Sequence, residues 1–129
     1  MRLNPDCIRD LLLSIEEVST VNSLVTSEQL SKSSFLTKYS KNEILYHLNQ
    51  LYLSNYIIVP KSHHQIDGTF LVCDLSPLGP EFLSNIRQDT NWNKVKSICK
   101  EIGSETLTSL RTIAENVITS SINSFLGLH

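Results

Sequence analysis

At 129 residues, with 40% hydrophobic and 19% charged side chains, the chain has room for one domain with a buried core, and its composition excludes a disordered or fibrous class. Its formal net charge of −2 hides a split: residues 32–64 carry Lys32, Lys38, Lys41 and Lys61 against Glu43 alone, together with His47, His63 and His64, while both flanks are acidic. Such a patch suits phosphate contacts, but it contains no arginine, the commonest reader of guanine edges.

Three cysteines, Cys7, Cys73 and Cys99, are an odd number without CxxC spacing and read as free cytosolic thiols. No stretch approaches the ~18 uncharged apolar residues that a membrane span needs. Asp6, Arg9 and Asp10 interrupt any reading of the first residues as a leader.

The first element is a helix over about residues 5–18. Asn4 caps it, Pro5 supplies a preset φ at the first helical position, and Ile8, Leu11, Leu12 and Ile15 form its apolar stripe. Cys7 falls on or near the buried side. Residues 19–26 suit either a loop or a short strand. Ser27-Glu28-Gln29-Leu30 can open a short helix, followed by a looser segment that must bury Phe35 and Leu36.

The strongest signal is Tyr39–Val59. Ser40 followed three residues later by Glu43 is a capping box, with the carboxylate at the positive end of the helix dipole. Ile44, Leu45, Leu48, Leu51 and Tyr52 give a buried stripe, and Asn42, Tyr46, Asn49, Gln50 and Leu53 face outward. His47 reads as a partly buried helix residue. Asn55 suits a left-handed C-cap, and Tyr56–Val59 turns to a β-branched and aromatic strand that Pro60 ends. Residues 62–68, with His63 and His64 exposed near the tip and an Asp67-Gly68 turn, lead to a return strand over 69–75.

Ser76-Pro77 opens the next helix, which runs to about Arg87. After a polar break over 88–91, Thr90 or Asn91 caps a helix to Ile102, with Trp92, Val95, Ile98, Cys99 and Ile102 on one face. Gly103 stops it. From Glu105 to about Leu126 the apolar residues keep three-four spacing, and the polar face is mostly Ser, Thr and Asn. This long amphipathic helix either packs on its own domain or self-associates through Leu107, Leu110, Ala114, Val117, Ile118 and Phe125. Its polar face lacks the Lys and Arg typical of membrane-surface helices.

This order predicts a mainly α chain with a small β-hairpin. A winged helix-turn-helix domain over residues 1–88 is followed by a C-terminal helical extension over 89–129 that packs on it or mediates self-association.

Several segments also resemble, in order, the domain of unknown function 2513 family. They are Leu3-Asn4-Pro5-Asp6-Cys7-Ile8-Arg9-Asp10, Lys38 to Leu48, Asp74-Leu75-Ser76-Pro77-Leu78-Gly79, Glu81 to Arg87 and Trp92-Asn93-Lys94-Val95-Lys96. The resemblance covers nearly the whole chain. It implies a small bacterial or prophage protein in the cytoplasm and carries no established activity. Asn55 and Pro80 depart from the family pattern, which more often has Gly and a longer polar residue there.

The chemistry-bearing residues form no catalytic constellation, so an enzyme is not expected, and neither is a cofactor. His47, His63, His64 and Cys73 lack the paired spacing of zinc ligands. Two binding roles remain. In the first, Lys38, Lys41, Asn42, Asn49 and Gln50 meet DNA, with Lys61, His63 and His64 near phosphate. In the second, Tyr46 and Leu53 anchor a protein partner, such as a host enzyme or defence component.

Overall fold

The computed structural model describes residues 1–128. Among them are six helices and four two-residue strands: α1 (Pro5–Val18), β1 (Val25–Thr26), α2 (Ser27–Ser31), α3 (Lys41–Leu53), β2 (Ile57–Ile58), β3 (Leu71–Val72), β4 (Asp74–Leu75), α4 (Leu78–Ile86), α5 (Asp89–Ile102) and α6 (Leu107–Phe125). The fold is therefore mainly helical with two small antiparallel sheets. The chain divides into two compact units, Met1–Pro80 and a second beginning at Glu81, so the division falls within α4.

In the first unit, α1 packs against α2, α3 and β4. Asn4 caps α1 by accepting the Asp6 N–H at 3.1 Å, and Pro5 occupies the first turn as expected. Its inward stripe, Ile8, Leu11, Leu12 and Ile15, is fully buried, with Cys7 beside it. Burying each such aliphatic side chain stabilises the fold by about 1.5–3 kcal/mol. That exceeds what two-residue ladders can contribute, so the helices hold the strands in place.

Residues 19–26 resolve into a turn followed by β1. Thr26 then caps α2 through a box with Gln29, the two exchanging hydrogen bonds at 2.9 and 3.0 Å. Ser40 and Glu43 form the same arrangement on α3, at 3.1 and 3.2 Å. The buried face of α3 is Ile44, His47, Leu48 and Leu51, while Leu45 and Tyr52 are half-buried. His47 thus replaces Leu45 in the expected stripe. Asn55, at φ 65°, adopts the left-handed conformation expected of it just past the end of α3.

The return strand is split at Cys73. Its first half pairs with β1, Val72 facing Val25, and its second half pairs with β2, Leu75 facing Ile57. Leu71–Leu75 is thereby shared between two neighbours, one on each side. The Cys73 N–H donates to the Ile58 carbonyl at 2.8 Å, and the Leu71 N–H to the His63 carbonyl at 2.8 Å. The four residues between Ile58 and His63 make no ladder bonds, which is where Pro60 lacks a donor. Ser27 and Phe70 clasp the hairpin to α2: the Ser27 N–H donates to the Phe70 carbonyl at 2.8 Å, and the Phe70 N–H to Ser27 Oγ at 3.0 Å.

Ser76 does not cap α4. Its hydroxyl donates to the Asn55 carbonyl at 2.6 Å, and the helix begins two residues later. Gly79 lies so close to β4 that a Cβ there would stand 2.8 Å from Leu75 Cβ.

In the second unit, α5 packs against α6. Helix α5 starts at Asp89 rather than at residues 91–92, and its N-cap, Gln88, makes no side-chain bond. Trp92, Val95 and Cys99 are buried, Ile98 is half-buried, and Ile102 is exposed on the last turn. Gly103, at φ 81°, ends the helix as expected. Thr106 caps α6 by accepting the Ser109 N–H at 3.0 Å.

Candidate functional site

The outward face of α3 begins at its N-terminal end. Lys41 and Asn42 are exposed, while Tyr46, Asn49 and Gln50 are half-buried and spaced along the same helix. The capping box fixes the first turn, so these side chains project from a rigid helix rather than from a loop. The Lys41 ammonium lies beside the hairpin tip, 3.7 Å from where a Cβ on Gly68 would stand. Gly68, at φ 87°, accepts a turn that an L side chain resists. Asp67 shapes that turn by accepting the Thr69 N–H at 3.0 Å. This bond, with a smaller contribution from the Lys41 charge, holds its carboxyl below the usual carboxylate range.

Among the predicted binding residues, the structure brings Lys41 to the hairpin tip, and Asn42 is exposed next to it in the first turn of α3. Lys61 is exposed earlier in the hairpin. Lys38 is drawn toward α1, where its ammonium sits 3.2 Å from Asp10 Oδ2. The two adjacent histidines differ. His64 is exposed, whereas His63 is half-buried and not the exposed tip residue expected, because its ring lies 4.3 Å from that of Tyr52 and 5.3 Å from that of Phe70. The tip itself is Ile66-Asp67-Gly68, with Ile66 fully exposed.

His47 is structural rather than partly exposed: it is 1% accessible. Its Nε2 accepts the Asn4 N–H at 2.8 Å, and Nδ1 stands 2.7 Å from the Glu43 carbonyl. The first bond requires an unprotonated Nε2, so Nδ1 carries the proton and donates it to Glu43. Burial lowers its pKa, outweighing the Glu43 carbonyl and carboxylate, which favour the charged form.

Asp10 is a second buried polar centre. The Tyr39 hydroxyl donates to its Oδ2 at 2.7 Å, and burial followed by the Asp10 carboxylate keeps the phenol protonated. Nearby, burial pushes the Cys7 thiol up to about 12, which makes it a poor nucleophile. Among the described residues, no group of three or more His, Cys, Asp or Glu side chains is placed to hold a metal ion. No described helix is long and apolar enough to cross a membrane.

A cleft of about 340 Å³ opens between α2 and α3, lined by Ser27, Glu28, Ser31, Tyr39, Lys41, Ile44 and Leu45. Sequence reasoning missed it because Leu45 fits the apolar stripe by spacing; only the short length of α2 hinted that the side of α3 lay partly uncovered.

Among the proposed self-association residues, Leu107, Leu110, Ala114 and Val117 are already buried within one chain. Ile118 is half-buried and Phe125 is exposed.

The family profile described as "Hypothetical protein (DUF2513)" matches residues 2–105. The chain belongs to the DUF2513 family. No curated protein and no solved structure matches it. The DUF2513 match takes in the first unit from residue 2 onward, together with α4 and α5, and stops before α6.

Proposed function

We propose that the first unit is a winged-helix binding unit in a non-catalytic protein of phage or prophage type, acting on nucleic acid in the cytoplasm of a bacterial host. The element order supports this reading: helix, short strand, two helices, then a hairpin whose return strand lies between β1 and β2. The observation that carries it is the approach of Lys41 to Gly68. It joins the first turn of α3 and the hairpin tip into one surface, with a cation between them. On this reading Lys41 contacts phosphate, and Asn42, Asn49 and Gln50 reach base edges, where Asn and Gln pair with adenine. Lys61 and His64 add contacts along the hairpin.

The absence of arginine from the patch and the Asp67 carboxylate beside Lys41 temper the charge, so binding is weak and strongly salt-dependent. A gel shift with random duplex DNA tests this directly. A complex that forms at low salt and fades steeply by moderate salt supports the reading, and no complex at low salt with folded protein defeats it.

A protein target is the second reading. It is favoured by Leu53, Ile58 and Ile66, which are exposed large apolar side chains on α3, β2 and the hairpin tip. A host enzyme or defence component then takes the place of DNA. Retention of a bacterial protein by the intact chain, lost on Ile66→Asp while DNA binding is absent throughout, distinguishes it.

A further inference from the structure

The cleft between α2 and α3 stays open because α2 has only 5 residues beside the 13 of α3. Its floor is apolar: Ile44 is buried, and Leu45 and the Tyr39 ring are half-buried. The hydroxyls of its walls are already engaged. Tyr39 donates to Asp10 Oδ2 at 2.7 Å, Ser31 donates to the Glu28 carbonyl at 2.6 Å, and Ser27 Oγ accepts the Phe70 N–H at 3.0 Å. Two charged groups are left for a ligand. Among the described residues, neither Glu28 nor Lys41 forms an ion pair, with each other or with any other side chain. The Glu28 carboxylate faces Thr69 Oγ1 at 3.4 Å, longer than a good hydroxyl bond. The Lys41 ammonium has Gly68 beside it, and the neighbouring Asp67 carboxylate is already engaged by the Thr69 N–H.

We propose that this cleft binds a free α-amino acid with an apolar side chain, its carboxylate on Lys41 and its ammonium on Glu28. The two charges select the class. A simple carboxylate would meet the Glu28 charge and a simple amine the Lys41 charge, whereas a zwitterion complements both. Glu28 and Lys41 stand on opposite walls, yet they reach the consecutive hairpin residues Thr69 and Gly68, so both charges lie at one end of the cleft. That suits an ammonium and a carboxylate carried on a single carbon, and it leaves the apolar floor for the side chain. At about 340 Å³ the cleft is at the small end of ligand pockets, which fits an amino acid better than a nucleotide. Glu28 and Lys41 are both exposed, so solvent screens each contact and the affinity is in the millimolar range. Lys41 also figures in the nucleic-acid reading, but the amino-acid site does not depend on it, and a titration without DNA tests the site alone.

The test follows amide chemical shifts of the isotope-labelled full chain as L-leucine is raised to about 20 mM. The amides of Ser31 and Leu45 shift along a saturating curve. Leucinamide, which lacks the carboxylate, isocaproate, which lacks the ammonium, and glycine, which lacks the side chain, each bind at least about threefold more weakly. Lys41→Gln removes the preference for leucine over leucinamide, and Glu28→Gln removes the preference over isocaproate. Circular dichroism verifies that both variants stay folded, and the analogue series on the native chain decides the matter if either does not. The absence of a saturating shift overturns the proposal. So does leucinamide or isocaproate binding as tightly as leucine, or a preference that neither substitution changes.

Discussion

The imidazole of His47 on α3 accepts the backbone N–H of Asn4, the residue that caps α1, at 2.8 Å. Asn4 therefore works in two directions, its side chain closing the first turn of α1 and its backbone locking that turn to α3. The lock operates only while the imidazole is neutral.

Acidification should loosen it. The folded-state pKa of His47 lies below its ordinary value of 6.5, so the unfolded chain binds the proton more readily. The contribution is full above about pH 6.5 and is lost as pH falls from there toward the folded-state value. His47→Gln keeps an acceptor for Asn4 but does not titrate. The stability advantage of the native chain over this variant, from urea midpoints, should narrow between pH 7.5 and 5.5. Parallel pH profiles would show that His47 plays no part in the dependence.

The Asp10 carboxylate receives two donors of unequal worth. Tyr39 reaches it by a short bond from a half-buried ring, whereas the Lys38 side chain is 65% exposed and screened by solvent. Tyr39→Phe should cost about 1.5–3 kcal/mol, the range for a hydrogen bond to a charged group. Lys38→Ala should cost about 0–1 kcal/mol. Denaturant unfolding of the two variants ranks them, and the reverse order would refute this account of the site.

Two backbone positions should respond oppositely to alanine and glycine. Asn55 sits at φ 65°, so Asn55→Gly should be neutral or slightly stabilising, while Asn55→Ala should cost about 1 kcal/mol. At Gly79 the added methyl meets Leu75, and Gly79→Ala should cost about 1–3 kcal/mol through overpacking. Thermal melts of the three variants measure both effects.

If α3 meets DNA, its residues should separate by role. Lys41→Ala should weaken binding about equally across sequences and reduce the salt slope by about one. Asn49→Ala should change which sequences are preferred. Titrations of a small duplex panel at several salt concentrations resolve the two patterns. Equal loss for both variants with an unchanged salt slope would argue against a groove-reading helix.

Much of the helical frame was legible because its signals are local. Asn4-Pro5, the Ser40–Glu43 box and Gly103 each act within one turn, and each is found where the residues place it. What escaped depends on distant partners. His47 can be buried only because Asn4, 43 positions away, satisfies its second nitrogen. The start of α5 was misplaced because Gln88 offers no capping side chain to read. At the candidate site, the outward positions of α3 follow from periodicity, but the meeting of Lys41 with Gly68 is a tertiary event across 27 residues of chain. The exposed end of α6 is likewise invisible to periodicity, which reports a stripe and not whether a neighbour is long enough to cover it.

The Ser27–Phe70 clasp gives the hairpin a mechanical role. Its two reciprocal bonds join the return arm of the hairpin, two residues beyond Gly68 of the tip, to the first residue of α2, and α2 packs in turn on α1 and α3. A ligand that displaces the tip must either break those bonds or drag the start of α2 with it. Contact at Asp67-Gly68 would then be felt as slower or faster amide exchange at Ser27 and Phe70, in residues that the ligand itself never touches.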